Sequence, residues 1–259
     1  MTHPGFESAQ NEYLELKRWL FEAALPLWSS VGRDCVSGGF FEKIDRSGVA
    51  VEAARRTRVV CRQIYSFSAA KKMGWAGDAE GVVQHGWDFL QRHCFNADGS
   101  VITTVDLASG VRNTSFDLYD HAFALFGLSY AADTLENRDG IAEAALNCLE
   151  AMIASWKHPA SGFEEAFPPI VPLRSNPHMH LFEAFLAWLE NPSIKKPERW
   201  LSCLNELGEL CLSSFISPDN GALREYYNHD WSVMQHHNLA PIEPGHQFEW
   251  AWLLTRWGK

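Results

Sequence analysis

The sequence predicts an all-α fold, a toroid of helical hairpins with short β-hairpins on one rim. Two observations carry that expectation. Glycine-centred turns recur about 60 residues apart, and between them lie stretches of helical apolar periodicity, two per interval. The turns are Ser37-Gly38-Gly39-Phe40, Ala97-Asp98-Gly99-Ser100, Ala160-Ser161-Gly162-Phe163 and Asp219-Asn220-Gly221-Ala222. A helix pair repeated head to tail builds an open solenoid or a closed ring. The period exceeds the roughly 34–47 residues of common helical solenoids. The extra length suits elaborate loops on one rim, which favours a ring over an irregular helical domain with coincidental glycines.

In chain order, helices are expected over 12–31, 59–72, 79–90, 119–135, 141–156, 177–189, 200–215 and 244–257. Pro177 and Pro244 stand at helix starts, where a missing N–H costs little because first-turn amides have no intrahelical acceptor. The turns lead into short alternating pieces. Residues 39–45, followed by Arg46-Ser47-Gly48, read as a small hairpin capping one end of the helices.

With 259 residues, 46% of them apolar, the chain has the material for a sizeable core and is read as one domain, 1–259. A formal charge of −10 argues against nucleic acid as a partner, since that needs a basic face. An anionic substrate would need local basic residues to overcome the global field. No apolar run approaches the roughly 20 residues of a membrane span, and residues 1–10 carry no apolar signal segment. The six cysteines are scattered without a Cys-x-x-Cys pair, as expected of reduced core thiols in a cytoplasmic protein.

Two helix starts carry the first candidates for chemistry. Asn176-Pro177-His178-Met179-His180-Leu181-Phe182-Glu183 places His180 and Glu183 three apart, on one helical face. Glu243-Pro244-Gly245-His246-Gln247-Phe248-Glu249 does the same with His246 and Glu249. The two pairs are expected at corresponding places of successive repeats, converging on one mouth of the ring. Imidazole titrates near neutrality and suits proton transfer, and a nearby Glu can orient it or raise its basicity. One such pair alone would read as a helix-start His with a dipole-favoured acid. The same spacing also serves metal sites in helical bundles. No His-Glu-x-x-His is present and no third ligand has an obvious spacing, so no metal or other cofactor is expected.

Arg62 follows three apolar residues in Val59-Val60-Cys61-Arg62. It must therefore pair with a buried acid such as Glu249 or face a polar cavity, where it would hold an anionic intermediate. Tyr119 and Asp120 open another helix and are candidates to contact sugar hydroxyls, with an ordinary first-turn acid as the alternative for Asp120. Trp231, Tyr226 and Tyr227 follow the fourth turn. They are candidates to stack on a sugar face, with core packing as the alternative.

Arg62-x-x-Tyr65-x-Phe67, Asn176…His180-x-x-Glu183 and Gly245-His246-x-x-Glu249 resemble the N-acylglucosamine 2-epimerase family. The segments 117–123 and 176–184 look like its bacterial branch usually labelled mannose-6-phosphate isomerase. The resemblance implies an (α/α)6 barrel and metal-independent proton transfer beside a sugar carbonyl. It implies His246 as an acid/base, His180 and Arg62 as holders of the ring-opened sugar's oxygens, and Glu249 as an orienting group. Asn176, Tyr119, Asp120, Glu183 and Trp231 are the expected substrate contacts. The substrate is then a sugar or sugar phosphate, of the mannose type or its 6-phosphate. Isomerisation through an enediolate is the leading reading, and 2-epimerisation the alternative. Six repeats of about 60 would need on the order of 360 residues. The sequence is thus expected to hold four of six hairpins, without the C-terminal third and the second acid/base histidine of the resemblance. A catalytically impaired remnant and self-association through the uncovered edge are further expectations. A glycosidase on the same toroid is the competing enzyme class; it would need two opposed carboxylates, Asp120 and Glu249.

Overall fold

In the computed structural model, residues 4–235 and 241–258 are described. The chain opens with α1 (Pro4–Trp19), which runs through a wide π-type turn (Leu20–Ala24) into α2 (Leu25–Ser30). Then follow α3 (Thr57–Lys72), α4 (Ala79–His93), α5 (Leu118–Thr134) and α6 (Arg138–Trp156). The last are α7 (Ser175–Leu189), α8 (Pro197–Leu210), which ends in a second π-type turn (Cys211–Phe215), and α9 (Pro244–Trp257). Helices α3, α5, α7 and α9 pack side by side as an inner layer, and α4, α6 and α8 back α3, α5 and α7 from outside.

The side-chain patterns follow from these places. Helix α4 buries a single stripe, Ala79, Val82, Val83, Gly86, Trp87, Phe89 and Leu90, as a helix does when one face meets the core. Helix α5 is covered on nearly every side, and every residue from Asp120 to Ser129 is buried. Its composition answers that: Ala122-Phe123-Ala124-Leu125-Phe126-Gly127-Leu128 is apolar all round. Gly127 is needed for the close approach of α5 to α3, because a Cβ there would stand 2.8 Å from Cys61 Cβ. Each fully buried Leu or Phe of this layer contributes about 1.5–3 kcal/mol.

The four marker glycines all have left-handed backbone: Gly39 (φ 72), Gly99 (φ 89), Gly162 (φ 76) and Gly221 (φ 70). Each ends the connection from an outer helix and starts a short strand on the rim. The strands are β1 (Lys43–Ile44), β2 (Ala50–Val51), β3 (Arg55–Arg56), β4 (Thr104–Val105), β5 (Arg112–Asn113), β6 (Leu173–Arg174) and β7 (Tyr226–Tyr227). The expected hairpins exist as β1–β2 and β4–β5. Strands β3 and β6 instead pair antiparallel with β4 and β7 of the following repeat, with Arg56 opposite Thr104 and Arg174 opposite Tyr226. An isolated bridge, Asp117 to Ala166, occupies the equivalent place between them. The rim thereby laces each inner helix to its neighbour.

A second repeated device fastens the rim to the helices. His121 Nδ1 donates to the carbonyl of Asp117 (2.8 Å), and its Nε2 accepts from the N–H of Val101 (3.0 Å). His178 Nδ1 lies 2.9 Å from Arg174 O, and its Nε2 meets the backbone of Phe163, 3.1 Å from its carbonyl oxygen and 3.3 Å from its N–H. In the fourth repeat Gln247 takes this place and exchanges two hydrogen bonds with the backbone of Leu223. Burial lowers both imidazoles, each to about 4.

The first and last helices carry exposed apolar side chains. Tyr13, Leu14, Leu16 and Trp19 stand out on α1, and Phe248 and Trp252 on α9. Among the described residues no helix is long and apolar enough to cross a membrane. All six cysteines are free thiols and five are buried, with Cys35 exposed.

Candidate active site

The residues that open the inner helices set a common count. Arg56, Asp117, Arg174 and Glu243 cap α3, α5, α7 and α9. Six places further on stand Arg62, Phe123, His180 and Glu249. Nine places on stand Tyr65, Phe126, Glu183 and Trp252. Residues three and four apart share a helical face, so these positions line the concave side of the layer, near the laced rim.

This count corrects the expected register of the two His-x-x-Glu pairs. His180 corresponds to Glu249. His246 stands only three places past its cap, at the level of Pro177. A shift of three residues keeps the helical face nearly constant but moves the group about one turn, or 4.5 Å, toward the rim. His246 therefore lies a layer above His180.

Arg62 faces this concave side. Its Nη2 donates to the hydroxyl of Tyr119 (2.8 Å), and its guanidinium lies over the ring of Phe123 at 4.1 Å. It is not paired with Glu249. Among the described residues no carboxylate lies within ion-pair distance of it. Its stem leaves the buried stripe of α3, so the charge meets solvent and aromatic faces rather than a core acid. His180 packs against the same aromatics, 5.2 Å from Tyr119 and 4.7 Å from Phe123. Its Nδ1 meets Glu183 Oε2 at 3.4 Å. Met179, His180, Glu183, Glu249, Trp252 and Leu253 line a narrow crevice between α7 and α9. Asn176 Oδ1 is buried without a hydrogen-bond partner in the first turn of α7. Farther from the rim, Tyr65 packs on Phe126 and Tyr130, and the ion pairs Lys72–Asp133 (2.6 Å) and Arg256–Glu190 (2.7 Å) tie the far helix ends together.

Two expected sugar contacts have structural roles instead. Asp120 is fully buried, accepting from the backbone N–H of Arg58 (3.2 Å) and ion-paired with its Nη1 (3.0 Å). Burial pushes its carboxyl up against the pull of Arg58. Its oxygens are taken up by Arg58 of α3, and the side chain is shut away from solvent. Trp231 is buried among His158, His178, Phe215 and Tyr227, and its Nε1 donates to Ser161 O (2.9 Å). Its indole fills the core beneath the rim, and no face is left for a sugar.

The carboxylate bound to His246 was not among the expected groups. Nδ1 of His246 lies 2.9 Å from Glu225 Oε2. Glu225 is buried just before β7, 21 residues upstream, too far along the chain for helical spacing to reveal. A faint signal existed: Glu165 follows the third turn at nearly the same interval. Among the described residues, His158, Glu164 and His229 bring three metal-type ligand atoms close together. His158 is a poor ligand there, because its Nδ1 accepts from the N–H of Ala160 and Ser161 while its Nε2 donates to His229 O.

Residues 39–259 match the N-acylglucosamine 2-epimerase (GlcNAc 2-epimerase) family. The chain belongs to the N-acylglucosamine 2-epimerase family. A relative named mannose-6-phosphate isomerase, from Rhizobium meliloti (strain 1021), is 41% identical over 247 residues, covering 95% of this chain and 63% of the relative. Among solved structures, cellobiose 2-epimerase from Spirochaeta thermophila DSM 6192 superposes with a TM-score of 0.84 at 21% identity, covering 96% of this chain and 64% of that one. A D-mannose isomerase superposes with a TM-score of 0.76 at 20% identity, covering 97% and 66%. The chain thus spans a little under two thirds of the length of these family members. Their fold is the α/α toroid, and the described helices follow it.

Proposed function

We propose that this protein acts as a sugar isomerase, interconverting a mannose-type aldose and the matching ketose by proton transfer through an enediolate. The observation that carries this reading is the guanidinium of Arg62, which meets no carboxylate among the described residues and shares an aromatic wall with His180. A lone cation facing a polar cleft suits an oxyanion that forms only during reaction. His246 is the acid/base group in this reading, and Arg62 with His180 holds the sugar's oxygens. Asn176, Tyr119, Glu183 and Glu249 complete the contacts. The names of the relatives support the class of reaction. Return of the proton to C1 gives the ketose, and return to the other face of C2 gives the epimer.

Three other arginines near the rim are already neutralised: Arg56 by Glu42, Arg58 by Asp120 and Arg174 by Glu165. That favours the neutral sugar over its 6-phosphate. A glycosidase reading is weakened by the burial of Asp120, which removes one of its two carboxylates. Coverage of 63% of a longer relative supports reading 1–259 as about four hairpins of a six-hairpin ring.

Incubation of a full-length version with mannose, mannose 6-phosphate or cellobiose in deuterated water tests the proposal. Label is expected at C1 of fructose formed from mannose. Label at C2 of an epimer would select the alternative, and absence of exchange into any of the three sugars would refute both.

A further inference from the structure

In the first repeat, Glu42 accepts from the backbone N–H of Arg56 (2.6 Å) and from its Nε (2.8 Å). In the third, Glu165 accepts from the backbone N–H of Arg174 and from its Nε (2.6 Å). Arg56 and Arg174 each cap the inner helix of their own repeat. A rim glutamate therefore binds the cap residue twice, once through the main chain and once through the guanidinium.

The fourth repeat keeps the first bond and changes the second. Glu225 Oε1 accepts from the N–H of Glu243, the residue that caps α9 (3.4 Å). Glu243 is an acid and offers no side-chain donor. The other oxygen, Oε2, takes the hydroxyl of Ser175 (3.2 Å) and Nδ1 of His246 (2.9 Å) instead. Both Glu225 and its neighbours Ser175 and Tyr227 are buried, so little water competes for that oxygen. The imidazole is about one-fifth exposed, with Nε2 free of any partner among the described residues.

We propose that Glu225 is a positioning residue, whose carboxylate fixes His246 as the Nδ1–H tautomer and leaves Nε2 to exchange a proton with the sugar. A carboxylate oxygen only accepts, so the shared proton must sit on Nδ1, and the bond a histidine makes with one nitrogen sets the state of the other. Glu225 does not itself touch substrate. The link to proton exchange rests on the isomerase reading above, whereas the tautomer does not.

The test is a two-bond proton–nitrogen correlation spectrum of the chain with labelled histidine, recorded where the imidazole is neutral. The His246 signals are identified by their loss in His246→Asn. In the native protein the protonated nitrogen is expected to be Nδ1. In Glu225→Ala it is expected to shift to Nε2, the form an unconstrained imidazole prefers. Glu225→Gln keeps one acceptor oxygen, which can serve either the N–H of Glu243 or Nδ1 of His246, so it serves if the alanine variant fails to fold, with a mixture of tautomers expected. A native Nε2–H form, or one tautomer unchanged across folded variants, would overturn the proposal. Turnover is expected to fall about 10²-fold in Glu225→Gln with KM little changed. A fixed Nδ1–H tautomer in a protein that exchanges no label into sugar would refute the isomerase reading and leave the tautomer standing.

Discussion

The acid/base candidate of this site hangs on a single ring, and replacing it separates chemistry from architecture. His246 is partly exposed and contributes one side-chain bond, to Glu225. Asparagine at this position can still donate toward that carboxylate but cannot shuttle a proton near neutrality. In a full-length version, His246→Asn is expected to retain the fold and sugar binding while turnover falls about 10²–10⁴-fold, the usual contribution of a general acid–base group. Steady-state kinetics with calorimetric sugar titration checks this, and near-native turnover would remove His246 from the mechanism. At this scale the sequence was a good guide to residue type and a poor one to partners. Arg62 was legible as a charge in an apolar helix. That it meets Tyr119 rather than Glu249 depends on α3 lying against α5, which local spacing cannot express. Trp231 looked like a sugar platform because aromatic residues serve platforms and cores alike; only burial tells them apart.

Among elements, the paired latch of His121 and His178 makes a measurable demand on pH. Both imidazoles are buried and lowered to about 4, from 6.5 in an unfolded chain. A depressed histidine means that the unfolded state binds the proton first. The stability it contributes is complete above the unfolded value and is lost as pH falls from 6.5 toward 4. Gln247 does the same job in the fourth repeat without titrating. His178→Gln is therefore expected to gain on the native chain as pH falls, by roughly 2 kcal/mol between pH 7.5 and pH 5. Denaturant unfolding of both proteins at the two pH values measures the difference directly. The comparison cancels the opposite contribution of Glu165, which burial raises to about 7. A constant difference across pH would show that the ring is not held neutral by the fold. The sequence shows His178 two residues before the candidate His180, with nothing local to say what it does. Helical geometry turns them apart by about 200°, one toward the strand and one toward the cleft.

For the molecule as a whole, the exposed apolar side chains of α1 and α9 dominate the expected behaviour. Phe248 is 78% exposed on α9 and Leu16 is 66% exposed on α1. Inner helices α5 and α7, with neighbours on both sides, leave no large apolar residue so exposed. Contiguous apolar surface of this kind marks an interface or a site of aggregation. Residues 1–259 expressed alone are expected to self-associate, and Phe248→Lys together with Leu16→Lys to shift the population toward the 29.3 kDa monomer. Sedimentation velocity reads both outcomes. A monodisperse native monomer would show that these faces are tolerated by solvent.

What the sequence by itself determined is whatever repeats along the chain. The glycine turns mark positions where only left-handed backbone lets the strand follow the outer helix, and the apolar period fixes which segments coil. Those signals, with the motifs around Arg62, His180 and His246, sufficed for the all-α toroid and the family. Tertiary structure decided the pairing. The strands lace across repeats, and the two His-x-x-Glu motifs stand a turn out of register. His246 takes its carboxylate from Glu225, and Asp120 vanishes into an ion pair with Arg58. Each is a contact between residues distant in sequence, whose geometry arises only when neighbouring helices choose their relative depth. Local periodicity records which face a side chain occupies but carries no information about that depth, and the depth is what assembles the site.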